Sequence, residues 1–400
     1  MDGNDQQSEP IPIGKVYLCP GETQPISKSV HLARLSSGYD ACSNCEHRFD
    51  TATLPGEVTK KVHGSDKQSQ QSQHVSRFSG FLDRGVGIRG LYLNEMTRPV
   101  ISKFVEHAVE LLTQSRDSEL TVDDEFADNS PSLLSDSALH VLVAYDWRPS
   151  SADLAVGVVP VLKRSGCEII DLGQTSRACF DFAISQFKSD LGIFVTGGNG
   201  VDGVNGLDIL GGDGREWAHP GELTTLLTRL NSPASRSSRY AGNYQAFSLV
   251  DRYEQHVRQL FDHCKPLRVA LACGDPLTMQ ILGTILFEIG CEIDFLDLNF
   301  SSSDFPLQAE AFRCEVRDAH VDVGFLIRPD SQTVHVLDSR GRAISPASLK
   351  DILTRNDEAI TLGKDGRFWF TGSTPQCDAM NVIAHLLKSD PNSWVSPLKR

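Results

Sequence analysis

Residue types able to do chemistry gather at two places in this chain. Near the start stand Cys19, His31, Cys42 and Cys45, with His47 as a spare imidazole. Cys42-Ser43-Asn44-Cys45 is a C-x-x-C, a spacing at which two thiolates share one tetrahedral ion. Cys19, before Pro20-Gly21, would supply a third donor and His31 a fourth. Such a Cys3His set would be a closed structural zinc centre, whose binding energy folds a segment too polar to pack alone. The same residues also read as unrelated thiols or as a redox pair on a loop. The second place is TGGNGVDGVNGLDI, residues 196–209, directly after the apolar run Leu191–Val195. Glycines beyond a strand end let backbone approach a ligand, often a phosphate. This loop holds no serine, cysteine, histidine or lysine. Gly198, Gly200 and Gly203 spell G-x-G-x-x-G, but a dinucleotide fingerprint must open a helix. The stretch after it, Val204 to Ile209 and then Gly211-Gly212-Asp213-Gly214, reads as turn, short strand, turn. The nucleotide reading fails.

The elements that must position these loops repeat. One copy runs from Leu139 to Gly173 and the other from Pro266 to Leu298. Each opens on an apolar β-type run and a turn with proline, then continues as a helix-length apolar segment. Each then carries Gly-Cys-Glu-Ile, at 166–169 and at 290–293. Gly166 and Gly290 suit a left-handed helix C-cap, after which a second strand starts. A further strand comes after each unit: Leu191–Val195 into the glycine loop, and Val321–Ile327 into Arg328-Pro329-Asp330-Ser331-Gln332. Alternating strands and helices imply open α/β sheets, with ligands beyond the strand ends. The glycine loop and the Arg328 loop therefore hold matching places in two related domains. A helix is predicted from Pro99 to Leu112. Polar stretches at 60–77, at 114–137 (acidic from Asp123 to Asp128) and at 231–243 read as connections. The expected division is an extension at 1–59, a first domain at 78–230, a second at 244–349 and a remnant at 350–400.

The residues resemble the α-D-phosphohexomutase family, the phosphoglucomutases and phosphomannomutases, from roughly Phe81 to Leu349 with an echo to about Leu387. That family carries a loop T-[AG]-S-H-N-P followed by Y-N-G-[FLI]-K. Here stand Thr196-Gly197-Gly198-Asn199-Gly200-Val201 and Val204-Asn205-Gly206-Leu207-Asp208. Arg84-Gly85-Val86-Gly87-Ile88-Arg89-Gly90 resembles its R-x-Y-D-I-R-G, and Tyr145-Asp146-Trp147-Arg148-Pro149-Ser150 its R-D-x-R-x-S. The resemblance implies an α/β fold of repeated sheet domains, to which the extension with its zinc site would be added.

Departures from the family pattern decide the expected function. The resemblance implies a phosphorylated loop serine that exchanges its phosphoryl group with a sugar phosphate. Such transfer needs an acceptor oxygen held in line and cations to absorb charge. The serine falls on Gly198, and the histidine and asparagine beside it on Asn199 and Gly200. The family's Mg²⁺ loop, D-G-D-G-D-R, falls on Arg328-Pro329-Asp330-Ser331-Gln332-Thr333. Asp330 alone keeps a carboxylate, and Arg328 would repel the metal. Magnesium is therefore not expected. Leu362 to Phe370 occupies the place of the sugar-recognising G-E-M-S-G-H, and no R-x-S-G-T-E-P phosphate segment comes before Arg400, which reads as a C-terminal truncation. Arg89, Arg148 and Asn205 match positions that would bind a sugar phosphate. Arg89 and Arg148 read equally as structural arginines, and Asn205 as a turn former. Asp146 reads as a helix-entry or ion-pair residue.

Composition narrows the partners. A formal charge of −14 argues against nucleic acid and anionic membranes. No apolar segment spans a bilayer and no signal peptide is legible, so the ten cysteines are expected as reduced thiols or ligands in a cytoplasmic protein, with Cys167, Cys273 and Cys291 in the core. The expected role is a non-catalytic sugar-phosphate-binding or regulatory homologue. The alternatives are an active hexose-phosphate mutase and a structural subunit, as a homo-oligomer or with an active mutase.

Overall fold

In the computed structural model the described residues are 16–18, 25–36, 85–122, 138–230, 241–298, 305–354, 360–370 and 377–389, with single positions at 39, 41, 42, 45, 47, 232, 238 and 300. The chain divides into two units, Met1–His74 and Val75–Arg400. The connection expected at 60–77 lies outside the described residues. In the first unit β1 (Val16–Tyr17) pairs antiparallel with β2 (Ile26–Ser27), which leads into α1 (Lys28–Ser36). Its described core is Tyr17 and Cys45, with Ile26 against them.

The second unit opens with β3 (Ile88–Leu91) and α2 (Arg98–Val122). The helix runs ten residues beyond the predicted end at Leu112, because Gln114, Arg116 and Glu119 are good helix formers even without an apolar stripe. Residues 123–137 lie outside the described residues. The first repeat follows as β4 (His140–Tyr145), α3 (Pro149–Ala155), α4 (Val159–Arg164) and β5 (Glu168–Gln174). Its helical segment is split where Pro160, which has no N–H, sits in the first turn of α4. Next come α5 (Arg177–Phe187), β6 (Leu191–Val195), β7 (Val204–Gly211) and α6 (Glu222–Arg229). Gly166 and Gly290 have φ of 80° and 87°, the left-handed cap expected of them. A strand β8 (Tyr244–Ala246) completes a six-stranded sheet in the order β3-β7-β6-β4-β5-β8. Residues 244–246 thus belong to the first sheet, not the second, since the outer edge of β5 offers unpaired backbone groups that they satisfy.

After α7 (Val250–Leu260), the second repeat is β9 (Arg268–Cys273), α8 (Pro276–Glu288) and β10 (Glu292–Phe295). It continues through α9 (Phe305–Asp318), β11 (Val323–Ile327), β12 (Val334–Asp338) and α10 (Pro346–Leu353). Its sheet has the order β10-β9-β11-β12, with β12 antiparallel to β11. The C-terminal part adds a hairpin, β13 (Ile360–Leu362) and β14 (Phe368–Phe370), and α11 (Ala379–Lys388). Helix α11 packs against α7 and α10.

Alternate residues of β4 face opposite sides, so Val141 and Val143 join a core with Phe104, Ile193 and Leu226, while Leu142 and Ala144 join another. That second core is shared. It unites Phe180 and Phe194 of the first sheet region with Leu271 and Phe325 of the second, and with Phe368 and Ile383 of the C-terminal part. The shared core holds the ends of β6 and β11 face to face. Among the described residues no helix is long and apolar enough to cross a membrane.

Candidate functional site

Asp146, at the end of β4, organises the glycine loop. It accepts from Thr196 Oγ1 at 2.7 Å, Gly197 N–H at 3.1 Å and Ser151 Oγ at 2.5 Å. Arg148 donates to Asp146 through its backbone N–H at 3.1 Å and through Nη1 at 2.5 Å, while its Nη2 donates to Gly198 O at 2.9 Å. Asp146 is the ion-pair residue the sequence suggests. Gly198 itself sits at φ 55°, a left-handed conformation that glycine adopts without strain.

The glycine loop is tied directly to the Arg328 loop. Asn199 Nδ2 donates to Asp330 Oδ2, and Asp330 N–H returns a bond to Asn199 Oδ1 at 3.1 Å. The Asp330 carboxylate also accepts from the N–H of Gln332 at 3.0 Å and from the N–H and Oγ1 of Thr333 at 3.1 and 3.2 Å. Ser331 is buried and shares a hydrogen bond with Thr278 Oγ1 at 3.0 Å. Arg328 lies over the Phe305 ring at 4.4 Å. These residues do not fit Mg²⁺, because the one retained carboxylate has its oxygens committed to four protein donors.

Behind the clasp lies a buried chain of charges. Arg89 donates to Asp208 at 2.6 Å and to Leu207 O at 3.0 Å. Arg177 reaches three carboxylates: Asp181 at 2.9 Å, Glu216 at 2.8 Å, and Asp208. Arg367, delivered by the turn before β14, holds both oxygens of Glu216 at 2.9 and 2.8 Å in a two-pronged fork. The Gln332 amide bridges the two sheets, donating to Asp181 at 2.9 Å and accepting from Arg367 at 2.9 Å. Burial would raise the Glu216 carboxyl, but Arg177 and Arg367 outweigh it and hold it down at about 2. At Asp181 burial wins over Arg177, and the carboxyl is pushed up to about 6. Burial likewise lifts Asp275, the N-cap of α8, to about 6, with Asp146 adding to the rise. The cavity among these groups measures about 30 Å³.

The structure thus brings Thr196, Gly198, Asn199, Asp330 and Gln332 together at one cleft. Arg89 and Arg148 border it, ion-paired with Asp208 and Asp146. Asn205 is fully buried; its amide donates to Ser150 and Ser151 at 2.7 and 2.8 Å and accepts from Gly206 N–H at 2.7 Å. Arg177, Asp181, Asp208, Glu216, Asp275 and Arg367 were not foreseen as site residues. The available signal was Asp208, which reverses the charge of the lysine in the resembled Y-N-G-[FLI]-K.

The metal candidates fall in the first unit. Cys19 lies outside the described residues. His31 is fully buried, stacked on Tyr17 with ring centroids 4.1 Å apart, and among the described residues neither ring nitrogen has a hydrogen-bond partner. Cys42 and Cys45 are buried, with Cys45 N–H reaching Cys42 O at 3.3 Å. Among the described residues no group of three or more His, Cys, Asp or Glu is placed to hold a metal ion. His31, Cys42 and Cys45 therefore do not assemble the expected zinc set by themselves. Cys167 and Cys291 are buried in the core and Cys273 is half-buried.

Known proteins agree with the geometry. The family model for "Phosphoglucomutase/phosphomannomutase, alpha/beta/alpha domain I" matches residues 125–229. A phosphomannomutase/phosphoglucomutase of Pseudomonas aeruginosa is 24% identical over 55% of this chain and 49% of its own length. A phosphoglucosamine mutase of Symbiobacterium thermophilum is 22% identical over 51% of this chain and 47% of its own. The chain spans about half the length of these curated relatives. A phosphoglucomutase/phosphomannomutase family protein from Burkholderia thailandensis superposes with a TM-score of 0.57 at 16% identity, over 78% of each chain. A putative phosphomannomutase of Thermus thermophilus gives 0.52 at 14%, over 68% of this chain and 60% of that one. At such identities the structural likeness speaks to the fold.

Proposed function

We propose, for a chain that belongs to the phosphohexomutase family, a role without catalysis: the cleft between its sheets serves as an internal joint, and the protein acts as a regulatory or structural homologue. The observation that carries this reading is how little space the cleft leaves. Its cavity of about 30 Å³ takes two or three waters at roughly 10–15 Å³ each, and the three arginines lining it are each paired with carboxylates. Phosphoryl transfer would also need an acceptor oxygen where Gly198 stands, and metal-binding oxygens where Asp330 is already committed. The test is a coupled mutase assay on pure protein with glucose 1-phosphate and mannose 1-phosphate, a bisphosphorylated hexose and Mg²⁺. Turnover at background is expected; sustained turnover overturns the proposal.

A second reading is hexose-phosphate binding, favoured by the three guanidiniums of Arg89, Arg177 and Arg367 that line the cavity. A phosphate would have to displace carboxylates from these arginines. A ligand at a hundred times its Kd stabilises the native state by about 2.7 kcal/mol. A clear rise in melting temperature at millimolar hexose phosphate, absent with sulfate, would favour binding over the closed joint.

A further inference from the structure

The two repeats differ at one sheet edge. In the first sheet the outer edge of β5 is covered, with Ile169 N–H donating to Asn243 O at 3.0 Å and Phe247 N–H to Asp171 O at 2.9 Å. Ile169 to Asp171 pair in parallel with Tyr244 to Ala246. The shared Gly-Cys-Glu-Ile aligns Ile169 and Asp171 with Ile293 and Phe295 of β10. Strand β10 pairs with β9 alone and ends its sheet. Glu292 N–H reaches Leu267 O at 3.1 Å and Leu296 N–H reaches Leu271 O at 2.9 Å. With the two-residue period of a parallel ladder, Ile293 and Phe295 therefore aim both N–H and C=O outward. Among the described residues nothing pairs with them.

Side chains mark the same edge. Phe295 is 57% exposed and Phe287 74% exposed. The Phe295 ring lies over Gly283, where a Cβ would come within 3.1 Å of its Cζ, and Phe287 stands one helical turn further along the same face of α8. On the opposite face of the strand Glu292 and Asp294 are exposed, and neither has an ion-pair partner among the described residues. An open edge strand templates pairing with another chain. Two copies of β10 paired antiparallel about a two-fold axis would bring the Glu292 and Asp294 carboxylates of one copy against those of the other, which is repulsive.

We propose that β10 accepts an extended strand of another protein, in parallel as β8 lies on β5. Its side chains alternate cationic residues, facing Glu292 and Asp294, with apolar ones meeting Ile293 and Phe295. The surface is distinct from the cleft, so an active or ligand-binding cleft would leave it equally open, and a mutase assay does not bear on it.

The probe is a short fluorescein-labelled peptide of alternating lysine and valine, titrated against the full chain by anisotropy with backbone amide exchange read in parallel. Saturable binding is expected, with new protection at the amides of Ile293 and Phe295 and none for the glutamate–valine counterpart. Methylating alternate backbone amides of the peptide should abolish binding. The charge reversal Glu292→Lys with Asp294→Lys should weaken the lysine peptide by about tenfold or more and admit the glutamate peptide, with circular dichroism unchanged. Equal binding of the methylated peptide would reduce the effect to bulk charge and overturn the proposal. So would an absence of binding at millimolar peptide, or protection at Ile293 and Phe295 that grows with protein concentration alone, which would make a second copy the occupant.

Discussion

Arg177→Met tests the closed cleft most directly. The Arg177 side chain is 4% exposed and holds Asp181, Asp208 and Glu216 together. Without it Asp208 keeps Arg89 at 2.6 Å and Glu216 keeps Arg367 at 2.8 Å, but among the described residues Asp181 is left with the Gln332 amide at 2.9 Å. Removing one partner of a buried ion pair costs about 3–5 kcal/mol, chiefly for the charge left behind. Part of that loss can be avoided, because Asp181 already stands at about 6 through burial and protonates when its cation is gone. Each pH unit below the new pKa spares about 1.4 kcal/mol of enforced ionisation. The cost of the substitution should therefore be near 3–5 kcal/mol at pH 7 and visibly smaller at pH 5. Urea unfolding of wild type, Arg177→Met and Arg177→Met with Asp181→Leu at both pH values measures it. The double variant should recover much of the loss, since an apolar replacement removes the stranded charge. A loss under about 1 kcal/mol at pH 7, or one equal at both pH values, would mean that water reaches these groups and that the cleft is open.

Gly198→Ser should leave mutase activity at background while costing about 1 kcal/mol of stability, because serine must adopt the left-handed φ of 55°. Asp275 and Asp378 stand at about 6 through burial, above the unfolded value near 3.9, so the folded state binds their protons more tightly. Their stabilising protonation is complete below about pH 3.9 and lost as pH rises through 6, worth about 3 kcal/mol per group; Asp378→Asn should flatten that share of the slope in melts between pH 4.5 and 7. For the first unit, we propose one zinc per chain, read by elemental analysis of the purified protein and lost in Cys42→Ala. Metal-free wild type purified without chelator would leave the C-x-x-C as a turn or redox pair.

Local signals in the sequence carried the framework and stopped at the cleft. The apolar run Leu191–Val195, the proline turns and the paired Gly-Cys-Glu-Ile each depend on a few neighbouring residues, so the strands, caps and repeat were legible. The end of α2 was misjudged because a polar helix carries no apolar period to count. The missing hydroxyl at Gly198 was legible as well, since glycine has no oxygen wherever it sits. The charge network was not. Apart from Arg177–Asp181, its bonds are long-range: Arg177–Asp208, Arg177–Glu216 and Arg367–Glu216 join residues 31, 39 and 151 positions apart, a separation at which sequence spacing predicts nothing.

The replacements nevertheless share a logic that links sequence to fold. Asn199 stands where the resembled pattern has histidine, and it clasps Asp330. Asp208 stands where it has lysine, and it draws in Arg89 and Arg177. Gln332 stands where it has the last metal-binding aspartate, and it joins Asp181 to Arg367. A cleft that merely lost function would keep unpaired cations facing water. In this cleft each of these departures from the pattern makes a bond within it, and two of the three, those of Asn199 and Gln332, cross between the sheets. Buried polar groups are tolerated only when satisfied. Reverting any one of these positions would break a bond before it restored a reaction. That mutual dependence is the physical argument behind our proposal that the site serves as a joint.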